Sequence, residues 1–137
     1  MGEIVALYAL ALAFGGMLFF SGLFSPLIFA KLPIATAGPF LRQVFPWYFL
    51  AVAAILAVAA VAFLAAGAEG WGLVLVAMAA LGVVNRQVLM PRINDLRDAQ
   101  LAGDAAAGKG FDRLHKASVA INLVQLLVAG AALTAFL

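Results

Sequence analysis

The chain has 137 residues, 67% of them hydrophobic and 10% charged, with a mean hydropathy of +1.16. That balance lies outside the range of soluble domains and points to an integral membrane protein. The absence of cysteine excludes disulfides, zinc fingers and thiolate chemistry, and a formal charge of +2 is too small to suggest nucleic acid.

A helix crossing the hydrocarbon core needs about 20 apolar residues. The first such segment runs roughly from Ile4 to Ala30. It begins with Glu3, has no early Lys or Arg, and is too long for the apolar region of a signal peptide, so it is expected to be retained. Gly15, Gly22 and Pro26 suit it to close packing. Pro26 frees the carbonyl of Gly22, so a bend is expected there. The connection that follows, KLPIATAGPFLRQVF, reads as a short interfacial helix after Thr36 or Gly38, with Phe40, Leu41, Val44 and Phe45 on one face.

The second span is expected from Pro46 to Ala66 and the third from Trp71 to Met90, joined by AGAEG. Beyond it, PRINDLRDAQLAG extends the third helix, with Pro91 at a kink or a new first turn and Gly103 as the stop. Asp95 and Asp98, beside Arg92 and Arg97, read as surface ion pairs. GDAAAGKG, from Gly103 to Gly110, imitates a phosphate loop but ends in Gly110 where a Ser or Thr would hold Mg²⁺. No strand precedes it, so it reads as a flexible loop. The fourth span is expected from Ala117 to Leu137.

Backbone groups must be paired in lipid and four strands cannot close a barrel, so every span should be a helix. The expected fold is all-α: one integral membrane domain, a four-helix transmembrane bundle with short interfacial and cytoplasmic helical extensions. All the Lys and Arg fall at one face, which the positive-inside rule makes cytoplasmic. Both termini and AGAEG would then lie on the periplasmic side of a bacterial-type inner membrane. Trp71 should mark the outer interface, and Trp47 with Tyr48 the inner one.

No Asp, Glu, Lys or Arg lies near the middle of a span, which disfavours a cation antiporter. What remains is polar and neutral. His115, Ser118, Asn122 and Gln125 form one stripe on the fourth helix, and Asn85 is expected at nearly the depth of Asn122. Since lipid offers such groups no partner, they should turn inward as a seam near the cytoplasmic side, joined by Ser21 or Ser25. Asn85, Arg86, His115, Ser118, Asn122 and Gln125 are thus the candidate ligand-binding residues, with no metal site expected.

Several segments taken in order give the chain a family resemblance. GLFSPLIFAKLPIATAG, then VFPWYF, VVNRQVLMPRIN and FDRLHKASVAIN together resemble the transmembrane protein 205-like family, domain of unknown function 4149. The resemblance implies four membrane helices and no established reaction. The expected role is therefore a non-enzymatic binding or accessory-subunit protein. Its partners would be the lipid bilayer, further copies of itself or a larger membrane complex, with no cofactor assigned. The alternative is a redox or haem-handling enzyme in which His115 ligates iron or relays a proton. A small dimeric exporter is a third reading, weakened by the missing intramembrane carboxylate.

Overall fold

The computed structural model describes residues 1–137. It consists of four long helices: α1 (Gly2–Lys31), α2 (Ile34–Ala65), α3 (Glu69–Leu101) and α4 (Ala105–Phe136). Each is long and apolar enough to cross a membrane. At 30 to 33 residues apiece, they measure about 45–50 Å, against a hydrocarbon core of about 30 Å. Their ends therefore stand well clear of the oil.

Short connections force antiparallel neighbours. α1 packs on α2 and α4, and α3 closes the ring between α2 and α4. Both termini and the α2–α3 turn lie at one end; every Lys and Arg lies toward the other, called here the basic end.

Two of the turns use the same device. Gly67 has φ +78° and Gly103 φ +105°, a conformation that an L side chain rarely adopts. Past each glycine the chain reaches back to cap the helix it has left: Ala68 N donates to Phe63 O at 2.9 Å, and Asp104 N to Ala99 O at 3.0 Å. Asp104 then caps the next helix too, its Oδ1 accepting from Ala106 N at 2.9 Å and Ala107 N at 3.2 Å. Gly103 is the expected stop.

The expected short interfacial helix is not a separate element, and the expected loop after Gly103 is instead helix. Residues 34–45 form the first turns of α2, continuous with its span through Pro39 and Pro46. Pro33 is the N-cap and supplies the opening acceptor for Thr36 N and Ala37 N, whereas Pro39 and Pro46 lie inside the helix, each at the cost of one backbone bond. GDAAAGKG is no loop from Ala105 onward. Its glycines let α4 approach α3, for a Cβ on Gly108 would meet Gln100 Nε2 at 2.8 Å and one on Gly110 would meet Leu96 at 3.2 Å.

Pro26 and Pro91 share a different solution. Each proline follows a π-helical turn, Phe20–Phe24 in α1 and Asn85–Leu89 in α3. A proline ring collides with the carbonyl four residues earlier, here Gly22 and Gln87, each at the centre of its widened turn. Widening the helix makes room without breaking it.

Toward the terminal end the core is a dry stack of small residues: Ala6, Ala9, Ala13, Ala59, Ala60 and Ala132, with Leu10, Leu56 and Leu75 between them. The bundle's outer surface is apolar, as lipid contact requires, with Tyr8, Leu12, Val61, Leu73 and Leu127 exposed.

Candidate functional site

Polar side chains gather around the middle of the bundle and toward the basic end, and each helix contributes at least one. Ser21 comes from α1, Tyr48 from α2, Asn85 from α3, and Ser118, Asn122 and Gln125 from α4. Ser21 and Asn85 sit on the two π turns. The prolines that widen those turns thereby also reset the direction of the polar side chains, a frequent use of such turns.

Three of these groups form a closed ring of hydrogen bonds. Tyr48 OH donates to Asn122 Oδ1 at 2.6 Å, and Asn122 Nδ2 donates to Ser21 Oγ at 2.9 Å. Ser21 Oγ lies 3.4 Å from the Tyr48 oxygen and completes the circuit as its donor. The Tyr48 ring is held flat against Phe20, centroids 4.0 Å apart and planes 16° from parallel. The arrangement ties α1, α2 and α4 together through neutral groups alone. Ser21 leaves one edge of it exposed.

Deeper between α3 and α4 lie two amides that are completely buried. Asn85 Nδ2 donates to Ser118 O at 3.3 Å, and Gln125 Nε2 donates to Met78 O at 2.8 Å. In both cases only half of the amide is satisfied. Asn85 Oδ1 and Gln125 Oε1 have no hydrogen-bond partner. A buried acceptor left without a donor carries a penalty of about 1–3 kcal/mol, so two of them in one seam call for an explanation. Seven residues separate Asn85 from Met78, whose carbonyl Gln125 meets. The orphans are thus about 10 Å apart along α3.

Tyr48 is the functional residue that sequence reasoning missed. Its signal was a phenol two residues past Pro46, the expected start of the second span, inside a helix that continues on both sides, so that its hydroxyl had to find a partner in protein. Ser21, and not Ser25, is the first helix's contribution. Asn85 and Asn122 are not hydrogen-bonded to each other: one turns to α4's backbone, the other across the bundle to α2 and α1. Arg86 stands beside the seam and donates from Nε to Pro46 O at 3.0 Å, fastening α3 to α2.

His115 lies apart from these groups. It is exposed, and its ring stacks on Phe111 with centroids 5.6 Å apart and planes 6° from parallel. It does not stack along the seam with Ser118 and Gln125, because it projects from a flank of α4 that no neighbouring helix covers. This placement gives no support to haem ligation.

The expected surface ion pairs are also rearranged. Asp98 reaches neither Arg92 nor Arg97; it binds Arg42 of α2 through two bonds, 2.6 and 2.9 Å. Arg97 lies over the Phe111 ring at 5.3 Å and donates to Gln100 at 2.8 Å. Both partners of the Arg42–Asp98 bridge lie in helix extensions beyond the apolar stretches. Hydrogen bonds from Arg42 hold the Asp98 carboxyl below its ordinary value of 3.8. A lowered folded-state value means that the bridge's contribution is present above the unfolded value and is lost as pH falls through the folded one. Melts in detergent should therefore show an acid-side decline that Asp98→Asn diminishes, with no effect of that variant on the slope near neutrality.

Residues 8–102 match the model of a family described as a domain of unknown function (DUF4149). The chain belongs to this family. The matched part of this DUF4149 protein spans α1 to α3 and carries Ser21, Tyr48, Asn85 and Arg86; α4 lies outside it. No curated protein and no solved structure matches the chain.

Proposed function

We propose that this DUF4149 protein is a non-enzymatic membrane binding protein, working alone or as an accessory subunit, whose polar seam accepts a small neutral hydrogen-bond donor. The observation that carries the reading is the pair of fully buried amide oxygens, Asn85 Oδ1 and Gln125 Oε1, that no protein group satisfies. A hydroxyl or N–H from a bound molecule, or water in its absence, would relieve both. The seam contains no acid or base, which favours binding over proton or electron chemistry.

The bias of bases supports placing the basic end, and with it the seam, toward the cytoplasm of a bacterial-type inner membrane, with both termini periplasmic. The GLFSPLIFAKLPIATAG and VFPWYF segments further support grouping the chain with the transmembrane protein 205-like proteins.

Intact mass measurement of protein released gently from its own membrane tests the binding role. A non-lipid mass should accompany the wild-type chain and be absent from Gln125→Leu. That same substitution, like Asn85→Leu, should leave stability unchanged or raise it by up to about 2 kcal/mol, because it removes an orphaned acceptor. If both variants lose stability and the wild type carries no added mass, the amides are packing elements and the reading fails.

A further inference from the structure

Of the eight bases, three are engaged by the fold, three lie together on α4, and two, Lys31 and Arg92, are exposed and stand singly on α1 and α3. Arg42 is held by Asp98, Arg86 by Pro46 O, and Arg97 by Gln100 and the Phe111 ring. Lys109, Arg113 and Lys116 on α4 are all exposed and have no carboxylate within ion-pairing distance, although Asp112 is on the same helix. At 100° per residue these three fall at roughly 0°, 40° and 340°, a single narrow stripe. They span seven residues, about 10 Å of helix.

The stripe does not end at Lys116. The same face continues through Ala120, Leu123 and Leu127, where Leu123 is 52% and Leu127 62% exposed. In a bilayer that lower face can only meet acyl chains, and the bases stand directly above it at headgroup height. We propose that this face of α4, from Lys109 to Leu127, is a binding site for an anionic phospholipid of the leaflet at the basic end. The apolar stretch takes an acyl chain and the three cations take the phosphate of the same molecule. A zwitterionic lipid is a poor match, since its outer ammonium would meet Lys109 and Arg113 with like charge. The proposal is independent of what the seam binds.

Lipid retention in vesicles and in intact mass spectra tests it. The full-length protein is reconstituted with equal amounts of dioleoyl phosphatidylglycerol and dioleoyl phosphatidylcholine, extracted mildly and weighed with its bound lipids. Arg113→Gln/Lys116→Gln should lower retained phosphatidylglycerol by roughly tenfold. Lys31→Gln/Arg92→Gln removes the same charge from the same end and should change it less than twofold. Glycerol 3-phosphate should not displace the lipid, because it lacks the chain that Leu123 and Leu127 hold. Both double variants alter exposed side chains only, and a thermal melt confirms that each is folded. Equal losses in the two variants would overturn the proposal in favour of diffuse surface charge. Equal retention of phosphatidylcholine by the wild type would overturn it by showing that the apolar face acts alone.

Discussion

Gly82→Val should destabilise the protein by about 2–3 kcal/mol, the loss expected from forcing bulk into a close-packed contact. A Cβ at Gly82 would lie 3.0 Å from Ala53 Cβ, 3.4 Å from Ala53 Cα and 3.2 Å from Gln125 Nε2. Here α2, α3 and α4 converge on one residue. Ala53 has no longer side chain to swing aside, and its Cα moves only if α2 moves. The contrast is Gly72→Ala. There the added Cβ would meet Leu64 Cγ and Cδ2 at 2.5 Å and Leu64 N at 3.3 Å, but Leu64 is itself exposed, and turning its whole side chain about χ1 into lipid relieves the two closest contacts. Melts of the two variants in one detergent should rank them in that order. A Gly82→Val protein as stable as wild type would mean that the three helices are not packed in this way.

Asn122→Ala is the second large effect. It removes the acceptor for Tyr48 OH and the donor to Ser21 Oγ together, so three helices lose their common tie. Interhelical hydrogen bonds in membrane proteins average about 0.6 kcal/mol and reach about 1.7. With two bonds gone and the Tyr48 hydroxyl stranded, a loss of about 1.5–3 kcal/mol is expected. Tyr48→Phe is the internal check, since it removes the 2.6 Å bond to Asn122 and the long 3.4 Å contact from Ser21 but keeps the Asn122–Ser21 bond and the ring on Phe20, and leaves no hydroxyl stranded. It should lose less than half as much. An Asn122→Ala loss no larger than that of Tyr48→Phe would leave the Ser21 contact without energetic weight.

How much of this was legible in the chain divides along physical lines. The four helices, their alternating directions and the stop at Gly103 follow from hydrocarbon thickness, backbone pairing and the conformation of one glycine, all local rules. The continuity of α2 through Pro39 and Pro46 was not legible. Proline reads as punctuation, and only the neighbouring helices reveal that the lost bonds are tolerated. GDAAAGKG was misread for a related reason: its glycines suggest looseness, whereas Gly108 and Gly110 are there to let α3 come close. The missed signal was Asp104, a good N-cap before three alanines. Ser118, Asn122 and Gln125 were placed on an inward stripe by periodicity. Which helix each would address was beyond it, because the π turns at Phe20–Phe24 and Asn85–Leu89 rotate everything that follows by a fraction of a turn. Tyr48 was assigned to the bilayer surface for the same reason, since aromatic composition near a span boundary gives depth but not direction.

The dry alanine stack has one further consequence. Beyond Gln125 toward the termini, from Ala13 and Leu56 to Ala6, Ala62 and Ala132, every fully buried side chain is a hydrocarbon. Ions and water moving from file to file would have no stepping stone there, so the bundle is a cul-de-sac with a sealed floor. Whatever enters between the helices must leave by the doorway through which it arrived.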